Sequence, residues 1–510
     1  MSGQILRATD LTADVTVDCD VCIVGSGAGG AVLAAGLVAD GHDVVMLEAG
    51  GHYTRDEFKG DEAWSFDRMY QERGSRATRD LALTILQGRS VGGSTTINWT
   101  TCYRTPDRVL NHWAEVHGIP LSADDLLPHF EAIEHRLNIQ EWPASAANAN
   151  NQVLLRGGKA LGWDPHPLRR NVRGCMNSGY CGLGCPVDAK QAMGVSYLDD
   201  AVKAGLRIYS NVEAQKIVHA DGRVSAVTAT VLDHESDHPT GVTVTVRPKV
   251  FVSACGAING PGLFLKSGIE SGGRMGRRTF LHPVSGIAGL YDEPVKPWHG
   301  APQSAGCHHF AERPGKVGYF LESAPLQPMI ASTVGFHVAT ETQEFMGQLG
   351  NVGVLIALAI DGFLPEDVGG AVKLYDGRPW VDYPVRPHLA EAVQHAHQSM
   401  ARCHIAAGAR RAVSLHTTPV EIVSEADLPA LAAAPYGAHH HSMFTAHVMG
   451  GCAMGGDPER SVVDLEHRLR GLDNVFVVDG SVLPTSLGVN PSQTIYGLAH
   501  RARAFVSAAV

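Results

Sequence analysis

The stretch Val21–Gly50, VCIVGSGAGGAVLAAGLVADGHDVVMLEAG, constrains the fold of this chain more than any other. Four apolar residues, Val21 to Val24, run into Gly25-Ser26-Gly27-Ala28-Gly29-Gly30. A small-residue segment, Ala31 to Ala39, then leads through Gly41 into a second apolar run, Val44 to Leu47. Strand, glycine turn, helix and strand in that order make one βαβ unit of a parallel sheet. Gly25 allows the tight turn, Gly27 lets backbone approach a pyrophosphate, and Gly30 lets helix and strand pack closely. The helix N-terminus adds free N–H groups and the positive end of its dipole. Glu48 closes the second strand at roughly the 20-residue offset where a carboxylate takes the ribose hydroxyls of an adenine dinucleotide and repels a 2′-phosphate. The unit predicts a dinucleotide site without separating FAD from NAD.

A chain of 510 residues exceeds one core, so two or three domains are expected. Its 41 basic and 52 acidic residues give a net charge of −11, and no Lys/Arg block interrupts it, which argues against nucleic acid as a partner. The N-terminal segment lacks the basic start and apolar run of a secretory signal, so a cytoplasmic location is expected. No transmembrane segment is expected either: the longest apolar run, Val352 to Ile360, is about half the roughly 20 residues a spanning helix needs. It reads as a buried strand or helix closed by Asp361. Without an export signal, the ten cysteines read as small buried residues rather than a disulfide framework.

Beyond Gly50, residues 52–80 read as a loop or helical excursion from the sheet. Gly88–Trp99, GRSVGGSTTINW, packs glycines and small hydroxyls into twelve residues, a composition that can lie flat against a planar ligand. From Pro106 to about Ala204 the pattern is mainly helical, with Leu126, Phe130, Ile133 and Leu137 following a cap at Ser122, and Ala144–Asn151 reading as a linker. Arg207–Val252 alternates as short strands with a turn near Asp221-Gly222. The run ending at Gly256 reads as another strand of the nucleotide-binding sheet, with a helix at Gly262–Lys266 after it. Residues 282–436 show the least pattern and are placed as a cap. In the tail, a His-rich loop precedes a strand at Val475–Val478 and a helix that starts behind Pro491.

These stretches resemble the glucose-methanol-choline (GMC) family of FAD-dependent oxidoreductases. The family's GR-x-x-GGSS-x-x-N segment is matched by Gly88-Arg89 with Gly92 to Asn98, and its second signature by Cys255–Pro261 through Lys266–Ile269. Ala446-His447 through Cys452, Val477–Ser481 and Gly488-Val489-Asn490-Pro491 resemble the family's catalytic tail, in the form known from cholesterol oxidases and long-chain fatty alcohol oxidases. The resemblance implies His447 as base and Asn490 as the residue that orients the alcohol oxygen while hydride leaves for flavin N5. An imidazole of reference pKa about 6.5 suits proton acceptance near neutral pH. Against the cofactor the resemblance and the glycine motif place Gly25, Gly27, Gly30, Glu48, Arg89, Gly92, Gly93, Ser94, Asn98, Asp479, Gly480, Pro491, Gln493 and Thr494. Two departures are visible: the family's aromatic residue comes one position late, as Tyr103, and the position of covalent flavin attachment holds Ile97. Non-covalent FAD is therefore expected.

Cys175, Cys181 and Cys185, spaced C-x5-C-x3-C before Pro186, precede an Asp188-x-Lys190-Gln191 segment like that of fatty alcohol oxidases. Sugar dehydrogenases of the same family hold an iron-sulfur cluster on a similar spacing, but their adjacent extra cysteine is missing, so a structural turn is the preferred reading. His439–His441 reads as a polar loop with no metal assigned.

The expectation is an α/β chain: a doubly wound, Rossmann-like FAD-binding domain from residues 1–105, 205–281 and 445–510, and an α+β substrate-binding cap with connecting helices from 106–204 and 282–444. The expected reaction is oxidation of a hydrophobic primary or secondary alcohol, with O2 or another carrier reoxidising the flavin. The alternatives are a dehydrogenase that passes electrons through an iron-sulfur cluster to a cytochrome, and a non-redox flavoprotein lyase of the same fold.

Overall fold

The computed structural model describes residues 3–334 and 339–510. Residues 1–2 of the N-terminal segment and 335–338 of the expected cap lie outside the described residues.

Strands Val15–Val24 and Val44–Glu48 pair in parallel, Val21 opposite Val44, on either side of the helix Ala28–Ala39. Side chains alternate across a strand, and the two faces here bury different cores. Val21, Ile23, Val44 and Met46 pack with the helix, while Cys22, Val24, Val45 and Leu47 face a second cluster on the far side. Strands buried on both faces read as the continuous apolar runs seen in the sequence.

The parallel order is Gln4–Leu6, Arg207–Ser210, Val44–Glu48, Val15–Val24, the C-terminal part of Pro239–Ser253, then Val475–Val477. The N-terminal part of Pro239–Ser253 continues outward as an antiparallel meander with Arg223–Leu232 and Val212–Ala220. Asp221 and Gly222 between the last two both have positive φ, as a two-residue hairpin turn requires. Ala28–Ala39 is flanked by the helices Tyr197–Ala204 and Ser492–Ser507, so the sheet gathers chain segments from both ends of the sequence.

A second sheet of nine strands is built around Val284–Leu290, Val352–Ala359 and Tyr319–Ser323, all antiparallel. The apolar run at 352 is thus a buried strand. Helices Pro387–Ala406 and Ala149–Ala160 cover one face of this sheet. The other face turns Val284, Phe320, Ile356 and Leu358 toward Trp99 and Phe444. Among the described residues no helix is long and apolar enough to cross a membrane.

Two local expectations shift. The helix after the strand ending at Ser253 begins at Gly256, not Gly262, and carries Pro261 inside it. Asn-Gly-Pro reads as a turn in sequence; Pro261 stands sixth in the helix, where it forgoes one ladder bond and crowds the carbonyl one turn back, a cost that burial of Ala257, Ile258 and Phe264 offsets. Ala144–Asn151 is not a bare linker: Asn148 accepts from Asn151 N–H and caps the helix Ala149–Ala160. Ser122 caps Ala123–Leu137 in a reciprocal box with Asp125, as its sequence pattern indicates.

Candidate active site

A cavity of about 730 Å³ runs between the two sheets. Its inner end is the βαβ unit. Gly25 has φ +102°, and a side chain there would meet the Ala254 carbonyl at 2.3 Å. One on Gly30 would strike the Gly25 carbonyl at 2.1 Å, so Gly30 serves the helix–strand contact and does not line the cavity. Glu48 is buried at the cavity edge: Oε2 accepts from Ser26 N and Oγ, and Oε1 accepts from Gly50 N. Burial pushes its carboxyl above the usual range, and the bonds from Ser26 and Gly50 oppose that shift. Arg89 lines the same end and pairs with Asp237 at 2.8 Å.

The glycine- and hydroxyl-rich segment forms a tight turn, Gly93–Thr96, entered through left-handed Gly92. Lys190, fully buried, fixes this turn from behind. Its Nζ donates to the carbonyls of Thr96, Asn98 and Cys181 at 2.5, 3.1 and 2.7 Å. Burial lowers its pKa to about 8, with the nearby Arg170 guanidinium adding to the shift. The Asp-x-Lys-Gln segment therefore acts as a strut for the loop. Replacing Lys190 with Met strands three carbonyls, each costing roughly 1–3 kcal/mol if left unpaired. Lys190→Met is expected to weaken FAD retention at least tenfold, read as flavin released on dialysis, and to lower the melting temperature.

The cysteine turn lies beside this strut. Cys181 is buried, with Arg170 Nη2 at 3.7 Å from its sulfur, and Cys185 Sγ accepts from Lys190 N at 3.4 Å. Among the described residues no three His, Cys, Asp or Glu side chains are placed to hold a metal ion. His441 of the His-rich loop is buried against His397, His416 and Tyr436.

At the outer end His447 and Asn490 meet, Nε2 to Nδ2, at 3.4 Å. His447 is positioned twice. Its backbone N–H donates to Thr445 Oγ1, whose hydroxyl donates to the Leu281 carbonyl. Its Nδ1 lies 3.1 Å from Nδ1 of His282. His282 is itself held by Asp361, which accepts the N–H groups of both Leu281 and His282. Desolvation alone lowers His447 to about 4, so the ring is neutral at physiological pH. Asp479 accepts from Gly256 N and Ser481 N, tying the helix Gly256–Lys266 to the loop that carries Gly480.

The structure brings Gly25, Gly27, Glu48, Arg89, Gly93, Ser94, Asn98, Asp479, Gly480, Pro491, His447 and Asn490 onto one cavity. Gln493 and Thr494 turn away. Gln493 Nε2 donates to Glu134, and the Thr494 hydroxyl pairs with Thr105, because residues at the start of the helix Ser492–Ser507 point their side chains into the packing against Ala123–Leu137. Sequence reasoning missed Glu322, Gln303, His282 and the apolar group Val284, Ile356, Leu358 and Phe444. A lone glutamate inside the apolar strand Tyr319–Ser323 was the available signal for the first of these.

The residues present fit FAD. The helix Ala28–Ala39 starts without any side-chain cap, leaving its first N–H groups for a pyrophosphate. A side chain on Gly27 would stand in the cavity, meeting only Gly93 Cα at 3.9 Å. Asn98 Oδ1, on the cavity wall, is buried without a partner. Ile97 is an alkyl side chain that offers no atom for a covalent link.

Comparison with known proteins agrees. The N- and C-terminal GMC oxidoreductase models match residues 66–284 and 366–499. A GMC-type oxidoreductase of Mycobacterium tuberculosis is 33% identical over 489 residues, 94% of this chain and 74% of its own. A long-chain-alcohol oxidase of Arabidopsis thaliana is 28% identical over 95% of this chain and 66% of its own. In fold, pyridoxine 4-oxidase from Mesorhizobium loti superposes with a TM-score of 0.70 at 20% identity, covering 96% of this chain and 99% of that one. With its motifs, sheet and cavity in agreement, the chain belongs to the GMC oxidoreductase family and is an FAD-dependent oxidoreductase acting on CH–OH donors.

Proposed function

We propose that the protein oxidises a hydrophobic primary or secondary alcohol to the aldehyde or ketone, held by His447 and Asn490 at the outer end of the cavity. The observation that carries this reading is the pairing of those two polar groups with an apolar wall of Trp99, Val284, Ile356, Leu358 and Phe444. A carbinol has one polar end and a hydrocarbon body, and the wall divides in the same way. Bound FAD supplies the hydride acceptor. The residues supply position: Asn490 and His447 fix the oxygen, and the apolar wall excludes water from the carbinol carbon.

Relatives named as long-chain-alcohol oxidases support this substrate class and O2 as the electron acceptor. The proposed division of labour puts the parallel sheet with the adenine half of FAD, and residues 282–444 with the substrate. Graded alcohols, from short aliphatic through long-chain to sterol, mixed anaerobically with the holoenzyme test the reading through loss of flavin absorbance. Apparent affinity is expected to tighten with chain length, since each buried methylene contributes about 0.8 kcal/mol. A screen in which no alcohol bleaches the flavin sinks the reading and favours non-redox chemistry.

A further inference from the structure

Two cations are buried beside the cysteine turn, and among the described residues neither pairs with a carboxylate. Arg170 and Lys190 are 0% and 2% exposed. Arg170 donates from Nε to Thr100 Oγ1 at 2.8 Å, and its guanidinium stands 4.8 Å over the Trp142 ring. Its Nη2 lies 3.7 Å from Cys181 Sγ, and its Nη1 has no partner. Lys190 Nζ meets carbonyls, one of them that of Cys181. A buried charge calls for an opposite charge or for loss of its proton, and a guanidinium does not lose one. The group against Arg170 that can become an anion is the Cys181 thiol. Burial raises its pKa, and Arg170 and Lys190 both oppose that shift.

Two further thiols share the place. Cys175, Cys181, Cys185 and Lys190 line one cavity of about 10 Å³, room for a single water-sized molecule. All three cysteines are free, Cys181 buried and the other two partly exposed. Cys185 is engaged, its sulfur accepting from Lys190 N at 3.4 Å. Cys175 is held loosely. Its sulfur reaches only Asn177 Oδ1, at 4.0 Å, and it sits in an irregular bend between Gly174 and Asn177, whose φ angles are +67° and +58°. Its neighbour Met176 is 72% exposed. Of the two partly exposed thiols, Cys175 also acts the more strongly on the charge of Cys181. One thiol is thus open to solvent and free to turn, and the other is set against two cations.

We propose that Cys175 and Cys181 form a peroxide-sensitive thiol pair whose oxidation to a disulfide loosens the hold on the FAD loop. The oxidant is hydrogen peroxide, the product formed when O2 reoxidises a flavin; for that supply the proposal rests on O2 as acceptor in the function above. Cys175, as its thiolate, attacks one peroxide oxygen, the O–O bond breaks, and hydroxide leaves a sulfenic acid behind. The Cys181 thiolate, steadied by Arg170 and Lys190, then attacks the Cys175 sulfur and displaces a second hydroxide. The two thiol protons turn both hydroxides into water. Two electrons pass from the pair of sulfurs to peroxide.

The consequence for FAD follows from what the two cations hold. Turning Cys181 Sγ toward Cys175 takes it away from Arg170, which leaves both terminal nitrogens of a fully buried guanidinium without a partner. Arg170 also anchors Thr100, a residue at φ +73° two positions beyond Asn98. The Cys181 carbonyl is one of three that fix Lys190 Nζ, and the other two belong to Thr96 and Asn98. Both cations therefore reach from Cys181 to the cavity-lining segment that carries Asn98. The bridged protein is expected to release FAD faster.

The test adds hydrogen peroxide to reduced holoenzyme and maps bridges by mass spectrometry of a non-reducing digest. A peptide pair joined through Cys175 and Cys181 is expected, and a thiol reductant should reverse it. Flavin release on dialysis should quicken about tenfold as the bridge forms, the effect of losing one hydrogen bond to a charged group. Cys175→Ser, a change on the exposed bend, is expected to form no bridge and to keep its FAD at the same peroxide dose. Cys185→Ser should still form the bridge. Peroxide that yields only sulfinic or sulfonic acid at these positions, or a bridge through Cys185, overturns the proposal. So does a complete Cys175–Cys181 bridge with unchanged FAD retention, or peroxide-driven flavin loss that persists in Cys175→Ser. Because peroxide is supplied directly, a wild-type flavin that no alcohol reduces would end the function reading and leave this test intact.

Discussion

Replacing His447 with alanine is expected to slow anaerobic reduction of the bound flavin by alcohol about 10²–10³-fold while FAD stays in place, because the proposed function makes it one of the two groups that hold the alcohol oxygen. The ring makes no contact that the cofactor-holding elements need. Its partners are His282, Asn490 and, through its backbone, Thr445. Under the proposed function its loss removes one of the two groups that hold the substrate oxygen. Asn490→Ala removes the other. Because both act on the same charge, the double variant should be much less impaired than the product of the two single effects. Rates of flavin bleaching at saturating alcohol separate this from a binding defect, since an interaction made only in the transition state lowers kcat and kcat/KM together. Near wild-type bleaching in His447→Ala would place the reacting carbon elsewhere in the cavity.

The dinucleotide end of the site was legible because its determinants are local. Gly25, Gly27 and Gly30 act through backbone within one βαβ unit, and the turn at Gly92-Gly93 is written in consecutive residues. The His447 and Asn490 loops carried similarly compact motifs. Glu322 and His282 were not legible for the opposite reason. Each is brought to the site by contacts with residues more than 150 positions away in the sequence, Asn490 for the first and the Leu487 and Gly488 amides for the second. Their local sequence says only apolar strand and post-strand turn. Residues 282–436 also resisted reading because their strands are covered by helices on one face and line a cavity on the other, so no polar alternation marks them. The helix start at Gly256 was hidden by Pro261, whose usual meaning as a boundary is overridden by tight packing of Ala257, Ile258 and Phe264.

Acid should unfold this protein well above the pH at which carboxylates protonate. His397, His404, His441, His447 and His467 are buried, and desolvation keeps each below its ordinary value, to about 4 for His404, His441, His447 and His467 and well below the ordinary value for His397. His282 behaves like His397. In the unfolded chain these rings titrate near 6.5, so between about 6.5 and 4 the unfolded state binds protons that the folded state refuses. Stability therefore falls as pH falls through that window, by about 2 kcal/mol per ring at pH 5. Glu48, Glu322, Asp361 and Asp479 work in the opposite direction, since burial raises their carboxyls and acid relieves that cost. With His117 and His308, both lowered to about 3, eight rings against four such carboxyls leave a net loss that is a sizeable part of a total folding stability of roughly 5–15 kcal/mol. Urea unfolding followed by tryptophan fluorescence should show a midpoint that drops steeply from pH 7 to 5, with the slope reporting net proton uptake. His397 is a suitable probe. It sits in the ring cluster with His416, His441 and Tyr436 and bonds Ser285 Oγ at 2.8 Å, away from the cavity. His397→Gln should remove about one proton from the uptake. A midpoint that stays level from pH 7 to 5 would mean that these rings titrate normally in the folded protein.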